Sequence, residues 1–178
     1  MLRVRSNDYT GNMAENARTL DPTELGAYFA LIEVSSLLRH TVEQQLREVG
    51  DLSYVQFQLL ATLGDSPAGS SRMTDLADGV VYSRSGLTYQ AQTLEQRGLV
   101  TRAPSVDDER GTTVTITAAG RDVLAKVFPG HIAVLDDLLF ASLKRADIDV
   151  LADVLGRVRD NMRAAPPRSA APRRRKSS

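Results

Sequence analysis

The sequence predicts a mainly α protein with a small β-wing, and three observations carry that prediction. Apolar residues recur at helical spacing through most of the chain between residues 22 and 162. Residues 112–117, TTVTIT, alternate hydroxyl and branched apolar side chains, which is strand periodicity. Ahead of that strand come a helix that stops at Gly98, a short strand-like run Leu99-Val-Thr-Arg102, and a charged tip from Ser105 to Gly111. A polar-faced helix, a Gly stop and a two-stranded hairpin follow one another as a recognition helix and its wing do. The expected working unit is therefore a winged helix-turn-helix.

Each element has a local reason. Asp21-Pro-Thr-Glu24 supplies an N-cap, a proline at the first helical position and a glutamate that closes a capping box. Leu25, Tyr28, Phe29, Ile32, Leu38, Val42, Leu46 and Val49 then give a helix over about 22–49, which Gly50 is expected to stop. At 1.5 Å per residue it runs roughly 40 Å, long for one small core, so part of its face is expected to pack on another subunit. Ser53 and Gln56 form a second capping box, ahead of Val55, Phe57, Leu59, Leu60 and Leu63. Residues 64–70 are a loop by composition, and a short helix over about 71–79 follows. After a tight turn at 79–82, Ser83 caps the helix Arg84–Arg97, whose buried stripe is Leu87, Ala91 and Leu94. Val114 and Ile116 face inward from the last strand. Helical spacing returns at Ala118, with a kink or break expected at Pro129-Gly130, and a last helix spans about 146–162.

Composition excludes several functions. With no Cys there is no disulfide, thiolate zinc site or thiol switch. No apolar run reaches the roughly 18 residues of a membrane span, and the N-terminus has no signal-like h-region, so a cytoplasmic protein without membrane contact is expected. The two His, His40 and His131, sit in no catalytic or metal motif, and no phosphate-cradling Gly loop or nucleophile elbow occurs. No enzyme activity, cofactor or metal is expected. The net charge is zero but uneven. Six of the 22 basic residues lie in 163–178, which has no acid, so the other 16 face all 22 acids, a body of −6. A DNA surface on such a chain must be a local patch.

The candidate patch is the start of the Arg84 helix and the wing. Arg84 suits guanine O6/N7 or a phosphate, Ser85 and Thr88 suit either, and the helix start at Ser83 offers free N–H groups to a phosphate. Tyr89 and Gln92 share that exposed face. At the wing, Arg110 suits a narrow minor groove, with Asp108 as a brace holding its guanidinium. Arg72, Arg84, Arg97, Arg102 and Arg110 are the cations available to the patch. Taken alone, the helix reads equally as one more amphipathic helix, and the tip alone as a solvated hairpin. Their succession favours DNA.

Across Leu25 to Met162 the chain resembles the MarR (multiple antibiotic resistance regulator) family. The residues that carry the resemblance are Asp108-Glu-Arg110, then Val114-Thr-Ile-Thr117-Ala-Ala-Gly120, with Leu76-Ala77 and Leu94-Glu-Gln-Arg-Gly-Leu-Val100. The resemblance implies a homodimer whose first helix and last two helices intertwine. It implies a palindromic double-stranded DNA site read by two recognition helices and two wings, and repression more than activation. It carries minor-groove contact onto Arg110, the brace onto Asp108, and groove-facing roles onto Arg84, Ser85 and Thr88. Tyr89 departs from relatives, where that position is often basic. A pocket for a small aromatic or amphipathic effector is implied where the dimer helices meet the winged domain, with Tyr28, Phe29, Ile32, Phe57 and Leu60 as candidate lining. Apolar residues at helical spacing are more commonly core.

The expected layout is an arm at 1–20, a helical dimerisation region of 21–52 and 118–163, the winged helix-turn-helix at 53–117, and a basic, disordered tail at 164–178. The alternative function is a winged-helix regulator that binds protein, antirepressor-like, with little affinity for DNA. The acidic body and Tyr89 motivate it.

Overall fold

A computed structural model describes residues 18–79, 84–105 and 108–164, without the side chains of Arg84, Asp108, Glu109 and Arg110. Helix α1 runs Pro22–Gly50. The Asp21 carboxylate accepts from the Thr23 and Glu24 amides at 2.7 and 2.9 Å, and Glu24 accepts from the Asp21 amide at 3.0 Å, the expected capping box. Ser35 and Ser36 lie within the helix, their hydroxyls donating to the Leu31 and Ile32 carbonyls one turn back. Among the described residues, those up to Leu37 form one compact unit and those from Leu38 onward another. In the first, Tyr28, Phe29, Ile32 and Leu37 are all exposed.

The second unit holds the core. Helix α2, Tyr54–Asp65, starts at the Ser53/Gln56 capping box, with both reciprocal bonds present. Its Leu59, Leu60 and Leu63 are buried together with Val42 and Leu46 of α1 and Leu52. Strand β1 (Ser70–Arg72) leads into α3 (Met73–Gly79), and α4 spans Arg84–Gln96. Strands β2 (Val100–Ser105) and β3 (Asp108–Ile116) complete an antiparallel sheet of order β1-β3-β2. Both wing strands are longer than expected: Ser105 pairs with Asp108 after a register shift at Pro104. β1, which pairs Ser70 with Thr115 and Arg72 with Thr113, was expected as loop and helix. Three polar residues carry no alternation, and their strand conformation comes from the β3 edge. The expected turn at 79–82 and the tail beyond Ala164 lie largely outside the described residues.

Gly50 does not stop α1 in the way expected. It is the last helical residue, and Asp51 takes the left-handed position after it, with φ 50°. Gly50 is needed for space, since a Cβ there would stand 2.5 Å from Val127 Cγ1. Helix α5, Ala118–Leu135, also departs from expectation by running through Pro129 and Gly130 unbroken. The Val127 carbonyl, in the turn before the proline, takes an outside donor, Gln45 Nε2, at 3.1 Å. That side chain lies where a Gly130 Cβ would be, 2.6 Å away. The irregularity comes later, as a π-helical turn over Asp136–Phe140. Helix α6, Arg145–Ala164, buries none of its side chains in this chain, and Val150, Val154, Val158 and Met162 form an exposed apolar row one turn apart.

The Thr117–Gly120 segment has a packing reason. Thr117 caps α5, accepting from the Gly120 amide at 3.1 Å, while its hydroxyl donates to the Gly98 carbonyl at 2.7 Å. A Cβ on Gly120 would collide with the Leu99 carbonyl and come within 2.8 Å of Ile116. Gly120→Ala is therefore expected to cost about 1–3 kcal/mol, the usual range for overpacking, read as a lower urea midpoint at unchanged slope. A wild-type midpoint would refute the close approach.

His131 packs its ring 4.6 Å from Phe57 and 6.3 Å from Phe128. Burial pushes its imidazole below the ordinary value. The unfolded chain thus binds this proton more readily, and stability falls as pH drops from about 6.5 towards the folded value. His131→Phe is expected to flatten that part of the stability profile. An unchanged slope between neutral pH and pH 5 would show that another group is responsible.

Candidate nucleic-acid interface

Helix α4 has one dry side and one wet side. Leu87, Ala91 and Leu94 are completely buried, the narrow stripe expected from their spacing. Ser85, Thr88, Tyr89 and Gln92 lie on the exposed side, with Tyr89 65% exposed. Four of the residues singled out from sequence therefore share one accessible helical face. Arg84 opens the helix, while Ser83 lies outside the described residues.

The helix ends in a Schellman turn. The Gly98 amide donates to the Glu95 carbonyl at 2.9 Å and the Leu99 amide to the Leu94 carbonyl at 2.9 Å, with Gly98 at φ 71°. This turn feeds β2 directly, so the wing is set by the end of the helix. Glu95 fastens the junction: its carboxylate accepts from the Arg102 amide at 3.1 Å and from its guanidinium at 2.8 Å. Further out, the buried Ser105 hydroxyl and Thr113 hydroxyl are 2.9 Å apart across the two strands. Asp108 and Arg110 belong to β3 by backbone, and their side chains lie outside the described residues.

Between helix and wing is a hollow of about 180 Å³. Thr88 of α4, Arg72 at the end of β1, Met73 and Thr74 at the start of α3, and Arg102, Ser105, Gly111 and Thr112 of the wing line it. Threonine hydroxyls of three elements thus share one concave face with Arg72 and with Arg102.

Two of the expected DNA cations are otherwise engaged. Arg102 is committed to Glu95. Arg97 crosses to the end of α1, where its guanidinium donates to the Asp51 and Gly50 carbonyls at 2.6 and 3.1 Å. Neither pairing has a local sequence pattern: Glu95 and Arg102 belong to different elements, and Arg97 and Asp51 are 46 residues apart. The roles of Gln45 and His131 are equally unmarked, because each depends on a tertiary neighbour.

Of the candidate effector residues, Phe57 and Leu60 are buried in the second unit, whereas Tyr28, Phe29 and Ile32 are exposed in the first. Among the described residues, no three His, Asp or Glu come together as a metal site. No helix among them is long and apolar enough to cross a membrane.

The MarR family model matches residues 50–111, from the end of α1 into β3. The HTH-type transcriptional regulator MhqR of Bacillus subtilis is 29% identical over 105 residues, which is 59% of this chain and 68% of MhqR. Among solved structures, AbsC, a MarR family transcriptional regulator from Streptomyces coelicolor, is 30% identical with a TM-score of 0.77, covering 83% of this chain and 99% of AbsC. Sco3205, a MarR family transcriptional regulator from the same organism solved in complex with DNA, is 28% identical with a TM-score of 0.79, covering 88% of this chain and 96% of Sco3205. The winged helix-turn-helix built from α2 to β3, the match to the family model and the near-complete coverage of AbsC together place this chain in the MarR family of transcriptional regulators.

Proposed function

We propose that the chain is a sequence-specific DNA-binding regulator that acts as a homodimer on a palindromic operator, as a repressor. The observation that carries this is the exposed face of α4, with Ser85, Thr88, Tyr89 and Gln92 beside a wing rooted in the end of the same helix. A helix start of this kind fits a major groove, with Arg84, Ser85 and Thr88 nearest the bases and Ser83 nearest a phosphate. Arg110 braced by Asp108 takes the adjacent minor groove. That Sco3205 was crystallised with DNA supports the same use of the fold here. The exposed row Val150, Val154, Val158 and Met162 on α6, and Tyr28, Phe29 and Ile32 on α1, support a dimer formed by 21–52 and 118–163, with 53–117 as the DNA-binding domain.

An effector in this reading is a small aromatic or amphipathic compound. Within the second unit, the Phe57, Phe128 and His131 rings and Leu60 favour it, with a His131 Nδ1 that has no hydrogen-bond partner among the described residues.

Selection from a random DNA pool tests the proposal. Enrichment of a palindrome with half-sites about one helical turn apart is the expected result. Recovery of no enriched sequence would favour the protein-binding, antirepressor-like alternative.

A further inference from the structure

We propose that Arg97 is a positioning residue for DNA recognition: it ties the end of the recognition helix to the end of α1, and so sets where the helix stands in a dimer. The inference rests on the DNA-binding reading above. The last carbonyls of any α-helix lack intrahelical donors. The last carbonyl of α1, that of Gly50, and the next one, that of Asp51, are met by one guanidinium, whose rigid fork of donors suits adjacent acceptors. The Asp51 carboxylate is farther, 3.5 Å from Nη2, and 93% exposed, so the carbonyls are the anchor. The backbone there is left-handed, φ 50° at Asp51, where the Leu52 amide closes the helix end by donating to the Leu46 carbonyl at 3.1 Å, and the guanidinium bonds add a tie from another helix.

The other flank of the same turn is also held. The Gly98 carbonyl accepts from the Thr117 hydroxyl at 2.7 Å, and the Leu99 carbonyl from the Thr117 amide at 3.1 Å. The end of α1 and the start of α5 thus converge on residues 97–99. Both helices belong to the proposed dimer region, and α4 carries the groove-facing residues. Arg97 itself cannot read bases, because it lies just beyond a 13-residue helix, roughly 18 Å from its start at 1.5 Å per residue. Its influence on DNA is through placement. When the link is cut, the two recognition helices of a dimer lose part of their fixed separation, and with it their discrimination of half-site spacing.

The test uses full-length protein, the palindrome that wild type enriches from a random pool, and the same palindrome with one base pair inserted at its centre. Wild type is expected to bind the native spacing much more tightly. Arg97→Ala is expected to bind the native site about tenfold more weakly, the scale of a lost charged hydrogen-bond pair. Its preference for native over altered spacing should fall to a third or less of wild type. Asp51→Asn, which leaves both carbonyls, should keep the wild-type preference. Should Arg97→Ala fail to fold, Arg97→Lys, which keeps the charge without the fork, should give an intermediate preference. A wild-type spacing ratio in Arg97→Ala, or in Arg97→Lys where only that variant folds, overturns the inference while leaving DNA binding intact. Equal loss on both DNAs assigns Arg97 a merely structural or charge role and also overturns it. If wild type enriches no DNA, the DNA-binding reading falls, and this inference with it.

Discussion

Leu87→Ala is expected to lower stability by about 2–5 kcal/mol, the range for removing a buried leucine side chain. Tyr89→Ala, two residues on, should change it by no more than about 0.5 kcal/mol, as surface substitutions do. The contrast follows from one turn of helix. Leu87 is completely buried, with Ala91 and Leu94 behind it, whereas Tyr89 is 65% exposed. Ala at position 87 leaves a cavity among side chains that cannot fully collapse, and a domain with about 5–15 kcal/mol in total has little to spare. In DNA binding the order reverses. Tyr89 belongs to the proposed groove face, so its removal should alter operator affinity at unchanged urea midpoint. Leu87→Ala should lose binding only in proportion to the unfolded fraction. Equal midpoints for the two variants would mean that the helix is rotated from the face assigned to it.

What was legible in the sequence is what neighbours in the chain decide. Asp21 with Glu24, and Ser53 with Gln56, cap helices within one turn, and both pairs close as expected. The stripe of Leu87, Ala91 and Leu94 follows from helical spacing, and the left-handed Gly98 from the Schellman turn. The misses are tertiary. Ser70–Arg72 is a strand only because β3 has a free edge. Asp51, not a glycine, takes the left-handed position at the end of α1, where Arg97 from another helix meets its carbonyl. Pro129 sits inside α5, and Gln45, on α1, donates to the nearby Val127 carbonyl; the carbonyl that the proline deprives of an amide donor is that of Ala125. Arg97 and Arg102 looked like DNA cations because composition counts charges and cannot see the acceptors that use them.

Those two internal pairings sharpen the expectation for the wing. On a body of −6, with Arg97 and Arg102 turned to protein acceptors, fewer cations serve the phosphates and grooves, and each carries a larger share. Arg110→Ala is therefore expected to weaken operator binding strongly. An arginine contact to DNA contributes about 1–3 kcal/mol, and a dimer loses two of them, so the loss should exceed roughly 30-fold. Dimerisation and the urea midpoint should not change, because Arg110 is at the far end of the hairpin from Val100 and Ile116, which anchor β2 and β3 in the core. Arg110→Lys separates charge from shape. If the contact were to phosphate alone, lysine would restore most of the affinity, and alanine would flatten the salt dependence by about 0.9 per phosphate lost in each half-site. If the guanidinium reads a narrow minor groove, lysine restores little, and substitutions that widen that groove weaken wild type more than Arg110→Ala. Unchanged affinity of Arg110→Ala at fixed salt would remove the wing from the interface, leaving α4 to supply both affinity and specificity.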